Sequence, residues 1–209
     1  MRRLGARSIP VLSRGDEFVF AQNIAQVVDF LKLNEKTGPV LSPAQLVERM
    51  DRYLDAAIRM IPQMPDDKLE TEVPNRPRAY RVLAHHMFRI PEAFVEIAGG
   101  AEFTQGLPTA VPNKDDTAST AVLADYGRRV RSKVSRWWQD TADREAQQIV
   151  PTYYGPQKLH EVLERSTWHI GQHTRQWVML LSMAGVEADR PLGDADFTDL
   201  PMPKKVWDD

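Results

Sequence analysis

The 209-residue chain contains no cysteine, and this absence removes several kinds of chemistry at once. Disulfide scaffolds, thiolate metal sites, iron–sulfur clusters and cysteine nucleophiles all require that side chain. A metal ion held by side chains must therefore use histidine, aspartate or glutamate as its ligands.

The chain also lacks a strong charge of either sign and a long apolar run. Lys and Arg number 27 against 29 Asp and Glu, so the net charge is only -2. This balance gives no basic surface for nucleic acid or for an anionic membrane. No apolar stretch approaches the roughly 18 residues that a bilayer span needs, and the first residues lack the apolar core of a signal peptide. We therefore expect a cytoplasmic protein without nucleic-acid or membrane partners.

Hydrophobic residues make up 42% of the chain, and four long segments carry them at helical spacing. The predicted helices cover residues 42–64, 77–98, 117–142 and 156–183. Between the second and third helices, residues 99–116 contain prolines and glycines that indicate a long crossing loop. The pattern predicts an all-α fold, a four-helix bundle with a long crossover loop.

The first 36 residues have a different pattern. Two short strands are predicted over 8–12 and 17–20, with a turn at Arg14-Gly15-Asp16, and a helix over 22–33. A ββα unit of this size buries too little surface to fold alone, so we expect it to pack on the bundle or on another subunit. The chain then divides into an appendage (1–36), a bundle (37–186) and an irregular tail (187–209) with Trp207 as its candidate anchor.

Three of the five histidines lie in the fourth predicted helix. His169 and His173 are four residues apart, so their Cβ atoms lie about 6 Å apart on one face, where two imidazoles can bind one metal ion. On a helical wheel His173 falls within the apolar stripe and His169 at its edge, whereas His160 lies outside it and is predicted to be an ordinary surface residue. A pair of neutral core histidines that only form hydrogen bonds is the alternative.

The second predicted helix offers two more candidates. His86 lies about 90° from the centre of its core stripe and His85 about 170° away. His86 is therefore the predicted third ligand, and His85, which we expect to face outward or cover the appendage, is the competing choice. Pro91 should free the carbonyl of Met87 and bend the helix near these residues.

Two segments resemble the DinB-like metalloproteins, also called the DinB/YfiT-like fold. These are Leu83-Ala-His-His-Met-Phe-Arg in the second helix and Trp168-His-Ile-Gly-Gln-His-Thr-Arg-Gln in the fourth, within a resemblance that covers about residues 42–185. It implies four helices with a crossover connection, often as a homodimer. It also implies a metal site that joins one histidine of the second helix to the His-x-x-x-His pair of the last.

The same resemblance implies a cofactor and an activity. Its metal is divalent (zinc, nickel or iron), and its characterised members are mainly transferases or isomerases that use a low-molecular-weight thiol such as mycothiol, bacillithiol or glutathione. We therefore expect a thiol-dependent transferase or isomerase that acts on a small electrophile. A metal-dependent hydrolase and a non-catalytic metal- or ligand-binding bundle are the alternatives. Gln172 and Arg175 are candidates for contacts with the ligands or the substrate.

The N-terminal segment is similar to the second half of a glutaredoxin, in which a proline at the start of a strand helps to hold glutathione. The matching residues are Ser8-Ile-Pro-Val-Leu12, the turn and the following helix. The first half of a glutaredoxin and its cysteines are missing, so thiol–disulfide exchange is excluded. We expect a structural remnant packed on the bundle, with a contribution to binding a thiol as the alternative.

Overall fold

The structure is a computed structural model that describes residues 11–21, 24–35, 37–74 and 76–207. It begins with an antiparallel hairpin, β1 (Val11–Arg14) and β2 (Glu17–Phe20), followed by α1 (Ile24–Leu31). The four long helices are α2 (Pro43–Met60), α3 (Tyr80–Ala98), α4 (Thr120–Asp140) and α5 (Leu159–Met183). Two short strands, β3 (Ile149–Val150) and β4 (Gln157–Lys158), pair just before α5.

Local sequence explains where the helices begin. Ser42 caps α2, because its hydroxyl accepts from Gln45 N at 3.4 Å while the Gln45 side chain accepts from Ser42 N at 2.9 Å. The predictions placed the starts of α3, α4 and α5 three residues too early. A backbone bridge between Glu72 and Ala79 precedes α3, a 3-10 turn at Asp115–Thr117 precedes α4, and the strand β4 precedes α5. The helix α3 continues through Pro91 to Ala98.

The four helices pack around one core. Helices α2 and α3 each pack against both α4 and α5. They therefore lie at opposite corners of the bundle. The predicted all-α four-helix bundle is confirmed. Residues 61–79 and 141–158 connect helices at opposite corners of the bundle. The loop after α3, which was predicted to be the crossing connection, joins the neighbouring helices α3 and α4. The largest fully buried side chains include Trp177, Tyr53, Phe88, Phe94 and Met87.

The N-terminal hairpin and helix lie at the margin of this core. The hairpin pairs Val11 with Phe20 and Arg14 with Glu17 around the predicted turn. Residues 8–10 of the predicted first strand and residues 22–23 of the predicted helix lie outside the described residues. Phe20 packs against the bundle core, while Leu31 is 41% exposed.

After α5 the described part of the tail, up to Trp207, is irregular apart from a 3-10 turn at Asp194–Phe197. Hydrogen bonds hold this turn to α2, because Tyr53 Oη and Arg49 Nη1 both donate to Asp196 O at 2.5 Å. Throughout the described part of the chain, every helix lacks the combination of length and apolarity that crossing a membrane requires.

Candidate metal centre

The structure brings together three of the predicted site histidines. His86 on α3 lies against His169 and His173 on α5, with ring centroids 5.5 and 4.9 Å away, and the pair on α5 is 4.8 Å apart. One ligand nitrogen from each ring lies within 4.8 Å of the others. Small rotations of the rings bring such nitrogens to the spacing of ligands on a single ion. These three side chains can therefore hold a metal ion.

A backbone carbonyl orients His86. Its Nδ1–H donates a hydrogen bond of 2.7 Å to Pro108 O, in the connection between α3 and α4. A carbonyl oxygen only accepts, so the proton is on Nδ1 and the lone pair is on Nε2. Hydrogen bonds of this kind commonly orient histidine ligands of metals.

An amide does the same for His173. Gln176 Nε2 donates to Val206 O at 3.0 Å, which turns Gln176 Oε1 towards His173 Nδ1 at 2.6 Å. His173 Nδ1 therefore carries the proton. Its Nε2 is buried and has no hydrogen-bond partner among the described residues. A buried lone pair without a donor is an unusual cost in a folded protein, and a metal ion would satisfy it.

All three imidazoles are held in the neutral form. Burial, with a contribution from the charge of Arg78, lowers the pKa of His86 to about 4. Burial, together with the neighbouring His86, lowers the pKa of His173 to about 3. Burial and the adjacent His173 place the pKa of His169 well below its usual value. Neutral rings have the lone pairs that a metal cation requires.

The other two histidines lie elsewhere, and both predictions for their surroundings were wrong. His85 does not face outward, because its ring stacks on Tyr126 of α4 with centroids 4.9 Å apart. His160 is not an ordinary surface residue, because its Nε2–H donates to Leu41 O at 2.8 Å and holds the approach to α2 against α5. A helical wheel shows the angle of a side chain but not which neighbouring segment covers it.

A cavity of about 280 Å³ adjoins His169 and His173. Trp168 stacks on His169 with centroids 5.3 Å apart and forms part of the cavity wall, whereas Trp177 is buried in the core and donates to Met60 O. The other lining residues are Val73, Arg76, Arg78, Leu83, Gln172, Gln176, Pro203, Val206 and Trp207. A second cavity of about 300 Å³ adjoins His86 and shares Arg78 with the first.

The C-terminal tail closes one side of the first cavity. Gln172 Nε2 donates to Val206 O at 2.7 Å, and Arg175 Nη1 donates to Pro203 O at 2.8 Å. The two residues predicted to contact ligands or substrate therefore hold the tail in place. Trp207 lines the cavity, and its Nε1 is buried without a partner among the described residues.

Sequence reasoning missed three residues of this site. Gln176 lies one turn after His173 and could have been found from that spacing. Arg78 and Trp207 lie outside the helices, and only the tertiary structure brings them to the histidines. The periodic pattern carries no signal for such residues.

No protein-family model and no curated protein matches the sequence. Among solved structures, the chain is similar to the crystal structure of a DinB-like protein from Bacillus cereus, with a TM-score of 0.55 and 19% identity. The similarity covers 70% of this chain and 95% of that one. At this identity the likeness establishes the fold, so the predicted DinB-like fold is confirmed. The glutaredoxin-like similarity stays a prediction, and Ser8 to Pro10 lie outside the described residues.

Proposed function

We propose, from this DinB-like fold and its histidine cluster, that the protein binds one divalent metal ion through His86, His169 and His173. We further propose that it is a thiol-dependent transferase or isomerase that acts on a small electrophile. The observation that carries the proposal is the convergence of three neutral imidazoles, two of them oriented by hydrogen bonds at Nδ1.

The donor set suits a catalytic ion. Imidazole binds zinc, nickel and iron well, and three neutral ligands leave the full charge of the ion and an open position. A divalent ion held by these three histidines would act as a Lewis acid and would lower the pKa of a bound thiol or water.

The side chains around the site form a cavity for a substrate and shield it from water. Trp168 and Leu83 give the cavity apolar walls, and Trp207 with the rest of the tail keeps bulk water from one side. Gln176 and the carbonyl of Pro108 hold two of the rings in one tautomer. The volume of about 280 Å³ suits a small substrate rather than a polymer.

Metal content tests the first part of the proposal. Purified protein should contain about one equivalent of a divalent metal, and each of His86→Ala, His169→Ala and His173→Ala should lose most of it. His85→Ala is the matched control, since it removes a neighbouring ring on the same helix that lies against Tyr126, and it should keep its metal. Metal retained by His86→Ala, or native protein unable to bind zinc or nickel, would refute the proposed ligand set.

Thiol dependence tests the second part. Small electrophiles should turn over only when the metal-loaded protein is given glutathione, bacillithiol or mycothiol. Chelation of the metal should abolish that turnover. Hydrolysis of esters or amides by the same protein without a thiol would favour a hydrolase. Four protein ligands around the bound ion, with no exchangeable position, would favour a structural metal.

A further inference from the structure

Arg78 lies in the short segment before α3 and lines both cavities that adjoin the histidines. Its backbone is fixed on either side, because Arg78 O accepts from Val73 N at 2.8 Å and the next residue, Ala79, forms a bridge with Glu72. These backbone bonds before α3, and not contacts with the C-terminal tail, therefore fix the backbone position of Arg78.

The charge of Arg78 is not compensated within the described part of the chain. Burial and the nearby Arg76 lower the pKa of Arg78, and no described carboxylate offsets them. Other half-buried arginines are paired, as Arg81 Nε with Glu70 at 3.0 Å and Arg89 Nη2 with Glu96 at 2.7 Å. Burying half of a charged guanidinium without a carboxylate partner costs free energy, unless a ligand supplies the opposite charge.

The guanidinium also shares its cavities with the candidate metal centre, because Arg78 lines one cavity with His169 and His173 and the other with His86. The cavity of about 280 Å³ is lined by two arginine side chains, by no described aspartate or glutamate, and otherwise by apolar, amide, indole and imidazole groups. A cation or a neutral group bound beside Arg78 would leave its charge unpaired, whereas an anion would balance that charge.

We infer that Arg78 binds a carboxylate group of a small molecule whose reactive group lies at the histidine cluster, an inference that rests on the proposed function. The planar guanidinium matches the two oxygens of a carboxylate. A doubly charged phosphate would require more donors, and the second cation, Arg76, is exposed. Binding at Arg78 and at the metal holds the molecule at two points and fixes its orientation.

The carboxylate belongs either to the thiol or to the electrophile, and two probe pairs distinguish them. The thiol pair is 3-mercaptopropionate with its uncharged amide, 3-mercaptopropanamide. The electrophile pair is crotonate with crotonamide. Within each pair the members differ mainly in charge, so a difference in binding reports the carboxylate.

The first measurement uses full-length, metal-free protein. The Nε–H NMR signal of Arg78, assigned by its absence in Arg78→Lys, is followed during titration with each probe. We expect saturable shifts with at least one of the acids, and an affinity about tenfold higher than that of its amide. Equal binding of acid and amide in both pairs, or no shift with any probe, would overturn the inference. A stronger response to inorganic phosphate would overturn the assignment of a carboxylate.

The second measurement uses cobalt-loaded protein, whose visible absorption reports ligands near the ion. Arg78→Gln should lose the preference for the acid while its affinity for the amide stays within about twofold. Arg128→Gln, which removes an exposed arginine paired with Asp125 on α4, is the matched control and should retain the preference. A preference that survives Arg78→Gln would contradict the inference. Failure of wild-type protein to bind cobalt would count against the proposed metal site alone, because the metal-free titration still tests Arg78.

Discussion

At the scale of single residues, the site depends on which nitrogen of each ring is left free. In His86 and His173 the proton is fixed on Nδ1 by an oxygen acceptor, so each Nε2 keeps its lone pair. For His173 the acceptor is Gln176, whose amide is itself oriented by the backbone of the tail. These two hydrogen bonds link the position of the tail to the orientation of the His173 ring.

Replacing Gln176 by leucine should weaken metal binding without unfolding the bundle. The substitution keeps most of the side-chain volume but removes the acceptor at His173 Nδ1, and loss of such a partner typically costs about 10–100-fold in metal affinity. Competition with a chelator measures the affinity. Gln172→Leu is the control, because it removes bonds to the tail but none to a histidine, and it should change the affinity by far less. Equal losses in the two variants would mean that the tail alone is responsible.

Helical geometry and the family resemblance together favoured the histidines that the structure brings together. The spacing of His169 and His173 and the phase of His86 agree with the observed cluster, and metal binding by these rings stays a prediction. Arg78 and Trp207 could not be predicted, because irregular segments bring them to the cavity from distant parts of the sequence.

At the scale of elements, the contact between α3 and α4 is unusually close and polar. Tyr126 Oη and Lys133 Nζ both donate to the Glu92 carboxylate at 2.5 Å, and Arg89 Nη1 adds a bond at 3.2 Å. Nearer to the core, Gly127 of α4 lies against Phe88 of α3. The half-buried carboxylate of Glu92 therefore links the two helices, and the lack of a side chain at Gly127 lets them approach closely.

Glu92→Gln should destabilise the protein in a manner that depends on pH. Burial alone would raise the pKa of Glu92, but bonds from Lys133 and Tyr126 outweigh it, so the folded pKa lies below the ordinary value of 4.5. The charged carboxylate thus stabilises the fold above the unfolded pKa, and this contribution is lost as the pH falls through the folded pKa. Urea denaturation should show a loss of about 1–3 kcal/mol at pH 7 that shrinks on acidification below pH 4.5.

Glu48→Gln is the control for that experiment. Glu48 is 70% exposed and, among the described residues, pairs with Arg52 on the same helix, so its removal should cost little at any pH. A loss for Glu92→Gln that does not change between neutral and acidic pH would contradict the predicted role of its charge.

Gly127→Ala should destabilise the protein although alanine favours helices. A Cβ at this position would lie 2.4 Å from Phe88 Cζ and 2.9 Å from Ile58 Cγ1, so the buried ring must move. Overpacking of this kind costs about 1–3 kcal/mol, which exceeds the gain of about 1 kcal/mol in helix propensity. Thermal denaturation measures the net effect. Gly106→Ala is the control, because its added Cβ meets open space and should change the melting temperature little. Stabilisation by Gly127→Ala would show that Phe88 can move aside at little cost.

The helices were predicted because their apolar periodicity is long, and the Ser42 cap gave the start of α2, but the starts of the other long helices were placed too early. Pro77 and Pro156 indicated the starts of helices, yet backbone pairing with segments a few residues earlier in the chain keeps the residues after them extended. Such bonds override local preference and leave no periodic signal in the sequence.

At the scale of the whole molecule, the bundle carries two additions of different kinds. The tail touches three glutamine and arginine side chains on α5 beside the candidate metal centre. The hairpin and α1 contribute Phe20 to the margin of the core. The tail therefore contacts residues of the candidate site, whereas the hairpin contributes an apolar side chain to the core.

Ending the chain at residue 202 should leave the bundle folded and expose the histidines. Loss of Val206 and Trp207 removes the partner of Gln176 and one wall of the cavity. A chelator should then remove the metal about tenfold faster than from the full chain, with unchanged helical circular dichroism. A variant that ends at Trp207 is the control, since it retains every described contact of the tail. Equal rates in the two variants would exclude a role for the tail in covering the site.

A chain that starts at residue 37 should fold and bind metal as the full chain does. Only Phe20 of the described appendage packs against the core, so the melting temperature should fall by only a few degrees. Phe20→Ala in the full chain should reproduce most of that decrease. Failure of the shortened chain to fold would contradict the predicted boundary between appendage and bundle.

The amide of Gln176 has a thermodynamic consequence for the proposed metalloprotein. A single side chain binds the tail through Nε2 and orients a ligand ring through Oε1. When one group serves two equilibria, the coupling is reciprocal: closure of the tail tightens metal binding, and metal binding tightens closure by the same factor. Occupancy of the metal site would then be reported by the tail, through how firmly Val206 stays bonded to Gln176.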